Sequence, residues 1–230
     1  MNSAPSTPEP VVPPDAVQSA WEAAYQRFET PEQEIRKFIS RLNEMGQADW
    51  PRDARVVEIF CGRGNGLHAL TRLGFTRLEG VDYSPALLHR YSGPAVCTVA
   101  DCRALPFPDA SRDILIVQGG MHHLLQLPED LDRVLIEVVR VLVPGGRFMV
   151  IEPWLTPFLR FVHWAAFFPP ARRSWDKLDA LATMIEHERV TYQQWLGQAD
   201  NVLSSLRRHF RSERCVARWG KLRFLGRKES

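Results

Sequence analysis

A chain of 230 residues can bury one sizeable core, and 45% hydrophobic with 24% charged residues is ordinary for a globular domain. A formal net charge of +2 gives no general attraction for nucleic acid, and no apolar run reaches the roughly twenty residues a bilayer span needs. Cys61, Cys97, Cys102 and Cys215 form no CxxC pair and no ligand cluster with histidine, which predicts reduced thiols, a cytoplasmic setting and no bound metal.

Residues 1–14 are rich in proline and predict a disordered tail. A helical cap is expected over 15–46. Asp15 caps its first helix, whose Trp21, Ala24, Tyr25 and Phe28 share a face. Thr30-Pro31-Glu32-Gln33 has the form of a capping box with proline at the first helical position. Ile35, Phe38, Ile39, Leu42 and Met45 give that second helix its stripe, and Gly46 marks its stop. Residues 47–230 then read as a single domain. Strands are predicted at Val56–Phe60, Leu78–Val81, Ala95–Val99, Ile114–Val117 and Arg147–Ile151. Helices at Leu67–Leu73, Pro85–Tyr91 and Leu131–Leu142 alternate with them, which predicts a parallel sheet covered on both faces.

The interval Trp154–Val190 breaks this rhythm and is expected to be a helical insertion. Its Phe158, Phe161, Trp164, Phe167, Phe168 and Trp175 suit either a self-packed flap or a lid over an apolar pocket. Thr191–Phe210 predicts one more helix. Arg214–Ala217 and Leu222–Leu225 predict a closing hairpin through Trp219-Gly220. The arginines and lysines crowded after Arg207 read as a solvated face.

The chemistry concentrates at strand ends. Val56–Phe60 runs into Cys61-Gly62-Arg63-Gly64-Asn65-Gly66, a glycine turn at a helix start, where backbone can approach a ligand. Leu67 stands where the dinucleotide fingerprint needs its last glycine, which argues against a nicotinamide enzyme. Asp82, after the second strand, can accept from both hydroxyls of a ribose. Asp101, after the third, can accept from an adenine amino group. Gln118-Gly119-Gly120-Met121-His122-His123 follows the fourth strand, Glu152 ends the fifth, and histidine can take a proton near neutrality.

Several of these stretches, taken jointly, resemble the class I S-adenosylmethionine-dependent methyltransferases, and among them the type 11 group that acts on small molecules. They are Glu58 before the glycine turn, Asp82, Asp101 followed by Leu105-Pro106-Phe107, and Arg140-Val141-Leu142-Val143-Pro144-Gly145-Gly146. The resemblance runs from about Arg55 to Glu152. It implies a Rossmann-like, mostly parallel seven-stranded sheet with helices on both faces and a closing antiparallel hairpin. It implies methyl transfer from S-adenosylmethionine to a small organic, lipophilic acceptor, leaving S-adenosylhomocysteine. The cofactor residues it implies are Glu58, Cys61, Gly62, Gly64, Gly66, Asp82, Tyr83, Asp101, Cys102 and Gln118. Within that set Asp82 holds the ribose, Asp101 the adenine amine, and Cys102 with Arg103 lines the adenine slot. His122 and His123 are its candidate catalytic residues.

The family's first turn glycine is replaced by Phe60, whose side chain is expected to narrow the methionine end of the pocket. No nucleic-acid partner is expected, because Gln118–Met121 replaces the D/N-P-P-Y/F turn of base-amino methyltransferases. A nonenzymatic S-adenosylmethionine-binding protein and a macromolecular acceptor are the alternative readings.

Overall fold

A computed structural model of the chain describes residues 23–229. The tail over 1–14, the Asp15 cap and Trp21 lie outside the described residues. Residues 23–28 are helical, and α1 (Pro31–Glu44) follows. The Thr30 hydroxyl accepts from the Gln33 amide at 3.3 Å and the Gln33 side chain accepts from the Thr30 amide at 3.1 Å, so the capping box is present. Gly46 follows with φ +80°, where a glycine stop is favoured.

The strands are β1 (Arg55–Ile59), β2 (Arg77–Asp82), β3 (Val96–Val99), β4 (Arg112–Gln118), β5 (Leu142–Pro153), β6 (Arg211–Arg218) and β7 (Lys221–Arg227). They form one sheet in the order β3-β2-β1-β4-β5-β7-β6. The first five are parallel, while β7 pairs antiparallel with both β5 and β6. Between β1 and β5 lie α2 (Asn65–Arg72), α3 (Pro85–Leu88) and α4 (Glu129–Val141).

The twofold alternation of the strands divides the core. Val57, Ile59, Leu115, Val117, Phe148 and Val150 face Leu131, Val134, Leu135 and Val138 of α4. Val56, Ile114, Ile116, Met149 and Ile151 face Ile35, Phe38 and Leu42 of α1 and Leu70 of α2. Each such buried side chain contributes about 1.5–3 kcal/mol of transfer free energy. The sheet is therefore clamped from both sides, and its carboxyl-end loops open at one rim.

Some boundaries differ from expectation. β5 begins at Leu142 rather than Arg147, because the Pro144-Gly145-Gly146 turn is absorbed as a register shift against β4. α3 ends at Leu88 rather than Tyr91. Tyr91 instead turns back, its hydroxyl accepting from the Ala95 amide at 3.1 Å. The insertion consists of α5 (Pro157–Phe167), α6 (Pro169–Ser174) and α7 (Asp176–His187), the second started by prolines. The single helix expected over 191–210 is two, α8 (Arg189–Gly197) and α9 (Ala199–His209), which separate at Gly197-Gln198. The hairpin turns through Trp219 and Gly220, with φ +53° and +72°, the left-handed pair that a two-residue turn requires.

Candidate functional site

The carboxyl ends of β1, β2 and β4 build the candidate cofactor side. Asp82 ends β2, and its two oxygens accept from the Gly62 and Ser84 amides, each at 2.8 Å. A carboxylate has about four acceptor positions, so Asp82 keeps capacity for a diol. Gly62 has φ +53°, and a Cβ there would meet nothing within 4 Å, so the turn is open to a ligand on that side. The Gln118 Oε1, at the end of β4, is buried with no hydrogen-bond partner. An open turn, a carboxylate with spare acceptor capacity and an orphaned amide oxygen fit the expected S-adenosylmethionine.

The other expected residues are placed differently, and Glu58 lies behind the turn. The Glu58 carboxyl is buried under the helix start, and a Cβ on Gly66 would lie 1.8 Å from its Oε1. Burial, then the nearby Glu34 carboxylate, hold the Glu58 carboxyl well above its usual range. A Cβ on Gly64 would lie 2.2 Å from the Tyr91 ring. Both glycines are thus required by packing. Cys61 and Cys102 are buried, the former beside Gly80 and Cys97. Tyr83 points to solvent at 78% exposure. Asp101 is half-buried and gripped by Arg103, whose Nη2 stands at 2.7 Å and which also reaches Asp130 at 2.9 Å.

Phe60 takes a left-handed φ of +54°. A Cβ on Gly120 would lie 2.2 Å from the Phe60 Cβ, so this ring lies against the β4 turn. The pair sets the wall between the glycine turn and the histidines.

The histidines lie on a 3₁₀ turn, Met121–His123, directly after β4. Glu152 of β5 is fully buried beneath them. It accepts from the Gly120 and Met121 amides at 2.8 Å and contacts His122 Nδ1 at 2.8 Å. These partners outweigh the effect of burial and hold the Glu152 carboxyl below its usual range. Glu188, at the joint between α7 and α8, stands 3.8 Å from His122 Nε2 and 3.8 Å from His123 Nδ1. Burial alone would lower His122, but Glu152 and Glu188 raise it to about 9. Burial and the charge of His122 lower His123 to about 4. The two carboxylates thus favour a shared proton on His122 over His123. Donor atoms of His122, His123 and Glu188 lie within 4.8 Å of one another, close enough to share a proton network or a cation.

Tyr192 of α8 stands edge-on to His122 at 5.9 Å, and its hydroxyl meets His163 Nε2 of α5 at 3.1 Å. Behind Tyr192 a groove of about 500 Å³ runs between the insertion helices, lined by His163, Phe167, Ile185, Arg189 and Leu196. Glu188, Tyr192 and His163 escape sequence reasoning, because nothing in their spacing ties them to a turn more than 35 residues away. The chain ahead of α1 also reaches the site. Tyr25 stacks on the Arg63 guanidinium at 4.8 Å, and the Glu34 carboxylate accepts from Asn65 at 2.5 Å, so both flank the glycine turn.

Residues 57–150 match the family model described as a methyltransferase domain. EEF1A lysine methyltransferase 4 of Mus musculus is 34% identical over 132 residues, covering 50% of this chain and 51% of its own length. A ubiquinone/menaquinone biosynthesis C-methyltransferase of Geobacter sulfurreducens is 28% identical, covering 49% of this chain and 46% of its own. A probable phthiotriol/phenolphthiotriol dimycocerosates methyltransferase of Mycobacterium ulcerans is 34% identical, covering 49% and 43%. The chain thus spans about half the length of these curated relatives. Among solved structures, a Pyrococcus horikoshii protein superposes with TM-score 0.64 at 18% identity, over 91% of this chain and 98% of that one. A putative S-adenosyl-L-methionine-dependent methyltransferase from Methanococcus maripaludis gives 0.59 at 14% identity, over 99% and 98%. Residues 57–150 are thus similar to a methyltransferase domain, and the sheet shares its fold with these solved structures.

Proposed function

We propose that the chain methylates a small, lipophilic organic acceptor held between the histidine turn and the insertion helices. The observation that carries this reading is the cluster after β4 in which Glu188 faces both His122 and His123 and Tyr192 stands edge-on to His122. S-adenosylmethionine, when bound, supplies a methyl group on a sulfonium whose thioether departs. The chain positions the acceptor and removes its proton. His123, neutral and part-exposed, takes that proton. Glu188 faces its Nδ1 and supports the charge that develops. Glu152 is a positioning residue, since it acts through His122. The lipophilic character of the acceptor is supported by the apolar groove behind Tyr192. Two relatives named for quinone and dimycocerosate methylation point the same way.

The test is transfer of a labelled methyl group from S-adenosylmethionine to fractions of a lipid and metabolite extract. Label in an apolar small-molecule fraction supports the reading. Tight cofactor binding with no transfer to any fraction would make the chain a binding protein instead. With the acceptor found, His123→Ala should lower kcat by roughly a hundredfold or more while cofactor affinity holds. Because His123 is held near 4, kcat should stay level as pH falls from neutrality to about 5.5. An unshifted imidazole would lose activity over that range.

A further inference from the structure

Helix α5 carries apolar side chains on both of its sides. Ala166 is buried, and Leu159 and Val162 are half-buried on the inner side. The opposite side of a solvated helix normally carries charge. Here it carries Phe161 and Trp164, each 61% exposed, and Phe168 just beyond, 44% exposed. Trp219, 57% exposed, extends the exposed aromatic surface through Phe158. The rings touch one another: Phe161 and Trp164 lie 5.8 Å apart, Trp164 stacks on Phe168 at 5.4 Å, and Phe158 meets Trp219 at 5.2 Å. A contiguous apolar patch of this kind marks an interaction surface rather than scattered surface residues.

The charge around the patch identifies its partner. Between Pro157 and Lys177 the chain carries Arg160, Arg172, Arg173 and Lys177 against the single acid Asp176. Arg172 is engaged by Asp179 and Glu186, while Arg160, Arg173 and Lys177 are exposed. Two copies set face to face would oppose these cations to one another, which disfavours a symmetric dimer. A negatively charged lipid surface meets them with the opposite sign. Tryptophan and phenylalanine on a short helix, with cations at its border, suit a helix lying in the plane of a membrane interface. No described helix is long and apolar enough to cross a membrane, so contact of this kind would be at the surface.

We propose that the aromatic face of α5 and α6 docks the protein on an anionic lipid bilayer. Docking stands whether or not the histidine cluster transfers methyl groups, and its test needs neither cofactor nor acceptor. Phe167 belongs both to the exposed face and to the groove behind Tyr192. A bilayer-held acceptor therefore has a short path inward; this last step rests on the proposed function.

Flotation of the full chain with vesicles tests the docking. The protein should rise with vesicles of phosphatidylcholine mixed with phosphatidylglycerol, and less with phosphatidylcholine alone or at high salt. The double variant Phe161→Glu with Trp164→Glu should lose at least about tenfold in partitioning. Both side chains are exposed, so its melting temperature should stay near that of the parent. If it does not, Phe161→Ser with Trp164→Ser provides the same reading without added charge. Failure of the parent to float, or equal flotation of the folded variants, overturns the proposal. So does a parent dimer in sedimentation equilibrium that these variants dissociate, since that would give the face to a second copy.

Discussion

Asp82 accepts from the Gly62 and Ser84 amides and still has acceptor positions to offer a diol. Charge-assisted hydrogen bonds contribute about 1.5–3 kcal/mol each. Asp82→Ala should weaken S-adenosylmethionine binding by at least about tenfold, or 1.4 kcal/mol, in calorimetry on the folded variant. Asp82→Asn, which keeps an acceptor oxygen without the charge, should fall between. Unchanged affinity in both would remove Asp82 from the cofactor. His122 answers a different measurement. Its folded value near 9 lies above the ordinary 6.5, so the folded state binds the extra proton. The stability this contributes is fully present below about 6.5 and is lost as pH rises through about 9. The melting-temperature gap between the parent and His122→Asn should therefore narrow over that interval. A gap that widens would mean His122 is neutral in the fold. The placing of the aspartates and the histidine pair at one rim was legible in the sequence, because Asp82 ends β2 and the others follow within five residues of a strand end. The protonation of the histidines was not, since it depends on Glu152 and Glu188, brought in from 30 and more residues away.

At the scale of elements, α8 ties the insertion to the sheet. Trp195 is fully buried, and its Nε1 donates to the Pro153 carbonyl at 2.9 Å. The same helix carries Tyr192 to the histidines. Trp195→Ala should cost about 3–5 kcal/mol in denaturant unfolding. Trp195→Phe should cost little more than the lost hydrogen bond, about 0.5–1.5 kcal/mol. Equal losses for the two would show that packing contributes nothing at this joint. The capped helix α1 was readable to within a residue, because Thr30, Pro31, Gln33 and Gly46 act locally. The insertion was readable only as helical. Aromatic content there suits a buried face and an exposed one equally, and the exposure of Phe161 and Trp164 is decided by which side of α5 meets the groove. The break at Gly197-Gln198 was also hidden, since the apolar stripe continues across it from Trp195 to Val202.

For the whole molecule, ligand linkage gives the broadest check. S-adenosylhomocysteine should raise the melting temperature in proportion to the logarithm of its concentration, and NADH should not. A shift with NADH alone would reverse the cofactor assignment. The alternation of strands and helices made a parallel sheet legible and the resemblance implied seven strands with a closing hairpin, while the strand order comes from the structure. Strand β7 sits inside the sheet, between β5 and β6, although it follows both in the chain. During synthesis β5 therefore leaves the ribosome with one edge bare, and β6 has no partner until β7 follows. Bare edges of this kind invite pairing with other chains. The nascent protein is then most prone to aggregate just before its last strand emerges, and a stall or truncation ahead of Lys221 would leave that exposed state permanent.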